Sequence, residues 1–242
     1  MPYKRHIRNL ITVAASLVRY NLKIIFAGKF IYFLLAALAI FLFVAGTNLY
    51  SADAAPFTEA MLYRLLLVPG LLLIFYPITF GIQNDVDTRM IEILFGIPNY
   101  RYKVWLVRLV LIWAVAFAIL LGLALLSSIA LIAVPVFEML LQLMFPVVFL
   151  GSVAFMFSTV IRNGSGTAVV MVIIGFVFWI GRSTISKAPQ WDIFLNPYNM
   201  PQDMSEVVWA AIITDNRIFL FAGIVLALLY GLLNLQKREK FL

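Results

Sequence analysis

The sequence predicts an all-α membrane protein: an N-terminal amphipathic helix at the membrane interface, then six transmembrane helices, all in one domain over 1–242. Three observations predict it. The first is composition. Of 242 residues, 64% are hydrophobic and only 12% charged, with a mean hydropathy of +1.03. Soluble domains carry roughly 45–50% apolar and about 25% charged residues, so too few polar groups remain here to cover a water-facing surface. The second is that the apolar runs are continuous, where the strands of a membrane barrel would alternate. The third is that lysines and arginines gather in every second loop. The net charge of +7 then reflects membrane topology, and no nucleic-acid partner is expected. The chain has no cysteine, which excludes disulfides, thiolate metal sites and a cysteine nucleophile.

The first element is the segment 1–28. Lys4, Arg5, Arg8, Thr12, Ser16, Arg19 and Lys23 recur at steps of three and four, with Ile7, Leu10, Ile11, Ala14, Leu17 and Val18 on the opposite stripe. This is the pattern of a helix lying in the headgroup plane, with Arg5, Arg8, Arg19 and Lys23 as its membrane-interface contacts. The basic residues extend too far for a cleaved secretory signal. A crossing helix needs about 20 mainly apolar residues and must be complete, because backbone amides find no water in hydrocarbon. Six runs qualify: 30–49, 63–82, 104–134, 140–161, 167–185 and 218–235. The outer connections are 51–62, 135–138 and the long 186–216, which holds Trp191, Tyr198 and Trp209 at headgroup level. Within it, 205–214 is expected as a short helix at the outer leaflet.

Topology follows from the bases. With six crossings, one side receives Lys4, Arg5, Arg8, Arg19, Lys23, Lys29, Arg89, Arg101, Lys103, Arg108, Arg162, Lys237, Arg238 and Lys240. The other receives only Arg64, Arg182, Lys187 and Arg217. The first side is therefore expected to be cytoplasmic, with both termini there.

The segment from Gln83 to Arg108 reads QNDVDTRMIEILFGIPNYRYKVWLVR. Asn84, Asp85 and Asp87 are residues that cap helix starts, and acids suit the positive end of the dipole. Arg89 is placed to reach Asp85 and Glu92 on one face, while Ile91, Leu94 and Phe95 form the other. Gly96 and Pro98 stop the helix. The result is a short amphipathic helix outside the membrane, whose apolar face must bury against headgroups, the chain's own spans or a partner protein.

The order acidic–x(6)–Glu–x–Leu–x(3)–Pro–x(2)–Arg–x(6)–basic is met by Asp85, Glu92, Leu94, Pro98, Arg101 and Arg108. It resembles the loop after the second span in permeases of type-2 ATP-binding-cassette (ABC) transporters. The basic interfacial helix, the six spans and the long last outer loop match that layout, and Leu195-Asn196-Pro197-Tyr198 looks like a turn common in that loop. The family's usual glycine and small hydroxyl residue are replaced by Arg89 and Met90, and a frequent glycine by Val107. The resemblance implies an ABC type-2 exporter-like transmembrane domain in a bacterial plasma membrane, with 83–103 as the coupling-helix loop. The ATPase-coupling residues it implies are Asp85, Asp87, Arg89, Ile91, Glu92, Leu94, Phe95, Pro98 and Arg101. It also implies two ABC ATPase subunits that bind ATP and Mg, and a second permease copy or paralogue. Spans two and five line the pathway in that family, which makes Phe75, Tyr76, Phe80, Phe176 and Phe178 the candidates to face an amphipathic or lipid-like cargo.

No phosphate-binding Gly-x(4)-Gly-Lys-Ser/Thr loop is present, so no ATPase or other enzyme activity and no cofactor are expected in this chain. Asn163-Gly164-Ser165-Gly166 superficially resembles an intramembrane serine protease motif. The only histidine is His6, in the amphipathic segment, which leaves that serine without a base; a turn is the better reading. Ionisable residues are expected only near span ends, at Arg64, Glu138 and Arg182, an arrangement unlike that of an ion-driven carrier. Pro69, Pro77 and Pro146 lie inside spans and can kink them. Gly70, Gly81, Gly175 and Gly181 permit close helix contact. The alternative function is a membrane assembly or scaffold protein whose cytoplasmic helix binds something other than an ATPase.

Overall fold

The structure, a computed structural model, describes residues 30–50, 57–87, 101–181 and 188–235. The expected interfacial helix at 1–28 and the loop residues 88–100 lie outside these. The described residues form α1 (Phe30–Tyr50), α2 (Glu59–Thr79), α3 (Gly81–Asp87), α4 (Arg101–Ala130), α5 (Val136–Ile161), α6 (Gly164–Ile180), a 3-10 turn at Pro189–Trp191 and α7 (Glu206–Leu235). No strand occurs among them. Five helical units are long and apolar enough to cross a membrane: α1, α2 continued through α3, α4, α5 and α7. The sixth, α6, is apolar but shorter. By length and composition the chain is a multi-pass helical membrane protein.

Local chemistry accounts for the element ends. The Thr58 hydroxyl accepts the Met61 N–H at 3.3 Å and caps α2, as a threonine ahead of a helix does. Pro77 has no N–H to give the carbonyl four residues back, and the rod steps at Phe80. The Phe80 N–H still reaches Tyr76 O at 3.1 Å, and Asn84 N–H reaches Phe80 O at 2.9 Å, so α3 continues α2 across a joint. The α4 helix closes at Ala130, before the expected 134, where the N–H groups of Leu131 and Ile132 both turn to Ser127 O. Between α5 and α6, Arg162 adopts φ 57° and ends one helix. The Asn163 side chain then accepts the Gly166 N–H at 3.0 Å and starts the next. The helix-to-helix turn is thus only Arg162 and Asn163, and Gly164-Ser165-Gly166, expected as a turn, is the first turn of α6, with Ser165 exposed.

The largest departure from the sequence reading is α7. The expected short helix at 205–214 and the last span are one helix of 30 residues. Its length of about 45 Å at about 1.5 Å per residue exceeds the roughly 30 Å of bilayer hydrocarbon. The polar run Thr214-Asp215-Asn216-Arg217 does not break it, because three of those side chains make hydrogen bonds without unwinding the helix. Thr214 donates back to Ala210 O at 2.9 Å, Asn216 donates to loop carbonyls, and Arg217 donates to Gln142 of α5.

The α2 helix is the centre, buried from Leu62 to Thr79 along most of its length and packed against α1, α4 and α5. The most extensive pairing is α7 on α5. The outward faces carry exposed apolar side chains such as Phe43, Leu126, Phe221 and Leu226, as lipid contact requires. Several glycines set helix spacing, Gly70 and Gly231 among them. A Cβ on Gly70 would lie 3.1 Å from Val147 and 3.2 Å from Leu120, and one on Gly231 would lie 2.7 Å from the Phe155 ring. Gly175 meets nothing within 4 Å and faces open space.

Gly231→Val should push α7 away from α5, because the ring of Phe155 is fully buried and cannot yield freely. The expected loss is about 1–3 kcal/mol, read as a lowered unfolding midpoint of the purified protein in detergent, whereas Gly175→Val should leave the midpoint unchanged.

Candidate functional site at the loop-bearing end

The ends of α3 and α4 flank the segment 88–100. In α3, Asp85 stands inside the helix rather than ahead of one, and it is buried. Its Oδ2 accepts from Arg108 Nη1 at 2.8 Å, and both side chains are 5% exposed. The Asp85 carboxylate balances a guanidinium two turns into α4; the helix it was expected to cap lies outside the described residues. Arg89, the other expected partner, lies outside the described residues.

Arg108 is held on a second side by Trp105, one turn earlier in α4, with its guanidinium carbon 4.5 Å from the ring centroid. A cation over an indole face is attracted by the ring quadrupole, more strongly where water is excluded. Arg108 Nε is buried with no hydrogen-bond partner. Trp105 in turn fits against Gly81, where a Cβ would approach it to 3.2 Å, and against Phe155 of α5 at 6.0 Å between centroids. The glycine at 81 is thus the close contact anticipated for it.

Three further side chains tie this end. Gln83 Oε1 accepts the Gly164 N–H at 2.6 Å, joining α3 to the start of α6. Phe80 lies so close to Gly164 that no Cβ fits there. Asn234 Nδ2 donates to Thr159 O at 2.6 Å and anchors the end of α7 on α5. Asp87 is exposed, with Gln83 Nε2 3.5 Å from its Oδ2.

Of the residues expected to contact an ATPase, the structure describes the side chains of Asp85 and Asp87 and the backbone of Arg101, which opens α4. Ile91, Glu92, Leu94, Phe95 and Pro98 lie outside the described residues, as do Arg5, Arg8, Arg19 and Lys23. Sequence reasoning did not anticipate Gln83, Trp105 or the partnership of Asp85 with Arg108. The available signal was an acid and a base at the two ends of one loop, with a tryptophan three residues before the base.

The expected pathway aromatics separate. Tyr76 stacks between Phe33 and Phe80, at 5.2 Å from each, along the contact of α1 with α2; Phe75 lies 6.2 Å from Phe33. On α6, Phe176 is exposed, while Phe178 packs against the Leu150, Ile193 and Leu220 cluster. A separation of two residues on a helix turns side chains to nearly opposite faces.

Among the described residues no group of three or more histidine, cysteine, aspartate or glutamate side chains is placed to hold a metal. These contacts tie α3, α4, α5, α6 and α7 together at the end of the bundle where the chain enters and leaves residues 88–100. Comparison with known protein families, curated proteins and solved structures yields no match for this chain.

Removing one partner of a buried pair leaves an uncompensated charge and typically costs about 3–5 kcal/mol, whereas an apolar replacement of both costs far less. Asp85→Ala and Arg108→Ala should each lower the unfolding midpoint sharply. Asp85→Leu combined with Arg108→Met should recover most of it, and a double variant destabilised by the sum of the two singles would show that the two residues act independently.

Proposed function

We propose that the chain is the permease subunit of an ATP-driven ABC transporter of the type-2 class, working as an exporter. It would couple hydrolysis by a separate ATPase to movement of a substrate. The observation that carries this reading is the acidic–x(6)–Glu–x–Leu–x(3)–Pro–x(2)–Arg–x(6)–basic order between two spans, whose first and last members, Asp85 and Arg108, form a buried ion pair. A loop that transmits force needs both its roots fixed to the bundle, and the pair supplies such a fixation. The multi-pass helical layout supports the same reading.

On this proposal, Ile91, Leu94 and Phe95 bury against the ATPase, and Arg89 and Glu92 set the orientation of the helix. ATP and Mg belong to two partner ATPase subunits, and a second permease copy or paralogue completes the pathway. The loop-bearing end and both termini face the cytoplasm of a bacterial cell. Asp85 acts through Arg108 and positions the loop, while Asp87 remains exposed for contact.

The test is affinity purification of the tagged full chain from native membranes in mild detergent, read by mass spectrometry. A stoichiometric ABC ATPase should accompany it, and Glu92→Lys combined with Leu94→Asp should abolish the association while membrane insertion is unchanged. A well-folded sample that retains other partners but no ATPase would instead favour a membrane assembly or scaffold protein.

A further inference from the structure

At the end of the bundle opposite the 88–100 loop, Arg217 of α7 is 8% exposed. Its Nε donates to Gln142 Oε1 and its Nη1 to Asn216 Oδ1, each at 2.8 Å, and the Phe145 ring lies 5.3 Å from the guanidinium carbon. All of these partners are neutral. Nη2 is buried without a partner, and among the described residues no carboxylate forms an ion pair with this arginine. A second donor is stranded beside it. The Tyr198 hydroxyl is also buried without a partner; its ring lies 6.0 Å from that of Tyr63, whose own phenol stands within hydrogen-bonding reach of the Arg217 guanidinium. A buried polar group without a hydrogen bond costs about 1–3 kcal/mol, and more when charged. The two donors share one neighbourhood through Tyr63, which lies beside Tyr198 and whose hydroxyl is 3.5 Å from the carbonyl of Gln142, the residue that Arg217 also holds, and such a neighbourhood has capacity for an acceptor.

The cover over this place is built. The segment 188–205 is tethered by Asn196 Nδ2 to Ala60 O at 2.8 Å, by Trp209 Nε1 to Pro197 O at 2.8 Å, and by Asn216 Nδ2 to Gln190 O and Asp192 O at 3.0 and 2.8 Å. An Asn196 side-chain turn onto the Tyr198 N–H at 3.0 Å then aims Tyr198. Burial, and then the nearby Glu138 and Glu59 carboxylates, push the Tyr198 phenol up to about 12, so it remains a donor across the working pH range.

Those carboxylates are the second half of the recognition. Glu59 precedes Tyr63 by four residues on α2, and Glu138 precedes Gln142 by four on α5, so each stands one helical turn outward on the same face. Glu138 is exposed and Glu59 half-buried. One cation and a neutral phenol donor lie inside, and acids lie at the rim. A simple anion would meet the acids first and be repelled. A phosphate linked through two carbons to an ammonium fits the order, with the phosphate inward and the ammonium outward. We propose that this end of α2, α5 and α7 is a binding site for a phosphoethanolamine headgroup, reached when the 188–205 segment lifts from Ala60 and Trp209. The site stands whether or not the chain pairs with an ATPase.

The test uses the purified full chain in detergent. Its thermal unfolding is followed while phosphatidylethanolamine, phosphatidylglycerol or soluble glycerophosphoethanolamine is titrated in. Phosphatidylethanolamine should raise the midpoint saturably, and phosphatidylglycerol should not. Glycerophosphoethanolamine giving the same rise would assign the site to the headgroup alone; its silence beside an active lipid would assign it to membrane phospholipid. Tyr198→Phe should leave the ligand-free midpoint unchanged or higher, since it removes only a stranded hydroxyl, yet weaken the response about tenfold. Glu138→Gln, an exposed change, should narrow the gap between the two lipids. Equal responses to both lipids in the unsubstituted protein, or an undiminished response in Tyr198→Phe and Arg217→Gln alike, would overturn the proposal.

Discussion

A carboxylate and a guanidinium in contact at 2.8 Å, each almost sealed from water, set the arrangement of the loop-bearing end. Either charge alone in that place would carry a desolvation cost of several kcal/mol. The helices α3 and α4 are therefore held at one separation and register. Trp105 can then lie over the arginine and against Gly81, Phe155 can meet Trp105, and Gly231 can meet Phe155. The chain of contacts runs from α3 through α4 and α5 to α7, and Gln83 adds α6. Each contact is weak alone. Their order depends on the ion pair, because it fixes where Trp105 sits.

The two ends of the bundle treat a buried arginine differently. Arg108 has its counter-charge within the chain, and its surroundings are complete except at Nε. Arg217 is surrounded by amides, phenols and one aromatic ring, with carboxylates only at a distance. A guanidinium can be kept charged by neutral dipoles, but each dipole supplies less than an ion pair would. One end is thus internally balanced and suited to rigidity. The other holds unspent donor capacity beneath a segment fastened by side-chain hydrogen bonds to backbone carbonyls.

The spans were legible because lipid imposes one demand everywhere: a complete apolar helix of sufficient length. The end of α5 at Ile161 falls where its apolar run meets Arg162, while its start at Val136, just after Pro135, comes four residues before the expected 140. The continuity of α7 was not legible. Thr214 to Arg217 is locally a loop sequence, and only Gln142, seventy-five residues away, and the loop carbonyls turn it into helix interior. Asp85 illustrates the same limit. Aspartate ahead of an amphipathic run is locally a cap, and nothing local distinguishes that from an aspartate whose partner arrives twenty-three residues later. Charge placement in the sequence identified Asp85 and Arg108 as members of one pattern, yet their contact is a tertiary fact. Arg217 was assigned to a connecting loop for the same reason, and its burial emerged only with the packing of α7 on α5.

The joint between α2 and α3 bears on how a load on the 88–100 segment would travel. Two features near that segment can yield. One is the Asp85–Arg108 pair, whose separation leaves two charges in a poorly hydrated place. The other is the step at Phe80, where Pro77 has already removed a backbone hydrogen bond from the rod. Kinks at proline bend at little further cost, whereas parting a buried pair costs about 3–5 kcal/mol. A push on the loop is therefore expected to move α3 and the start of α4 together and to bend the rod at Phe80. Phe80 is also where the Phe33–Tyr76–Phe80 stack ends and where Gly164 comes closest. Bending there changes the seat of α6 directly. The weakest link in α2 thus lies beside the one apolar helix shorter than the rest, so motion at the loop reaches α6 before it reaches the far ends of α5 and α7.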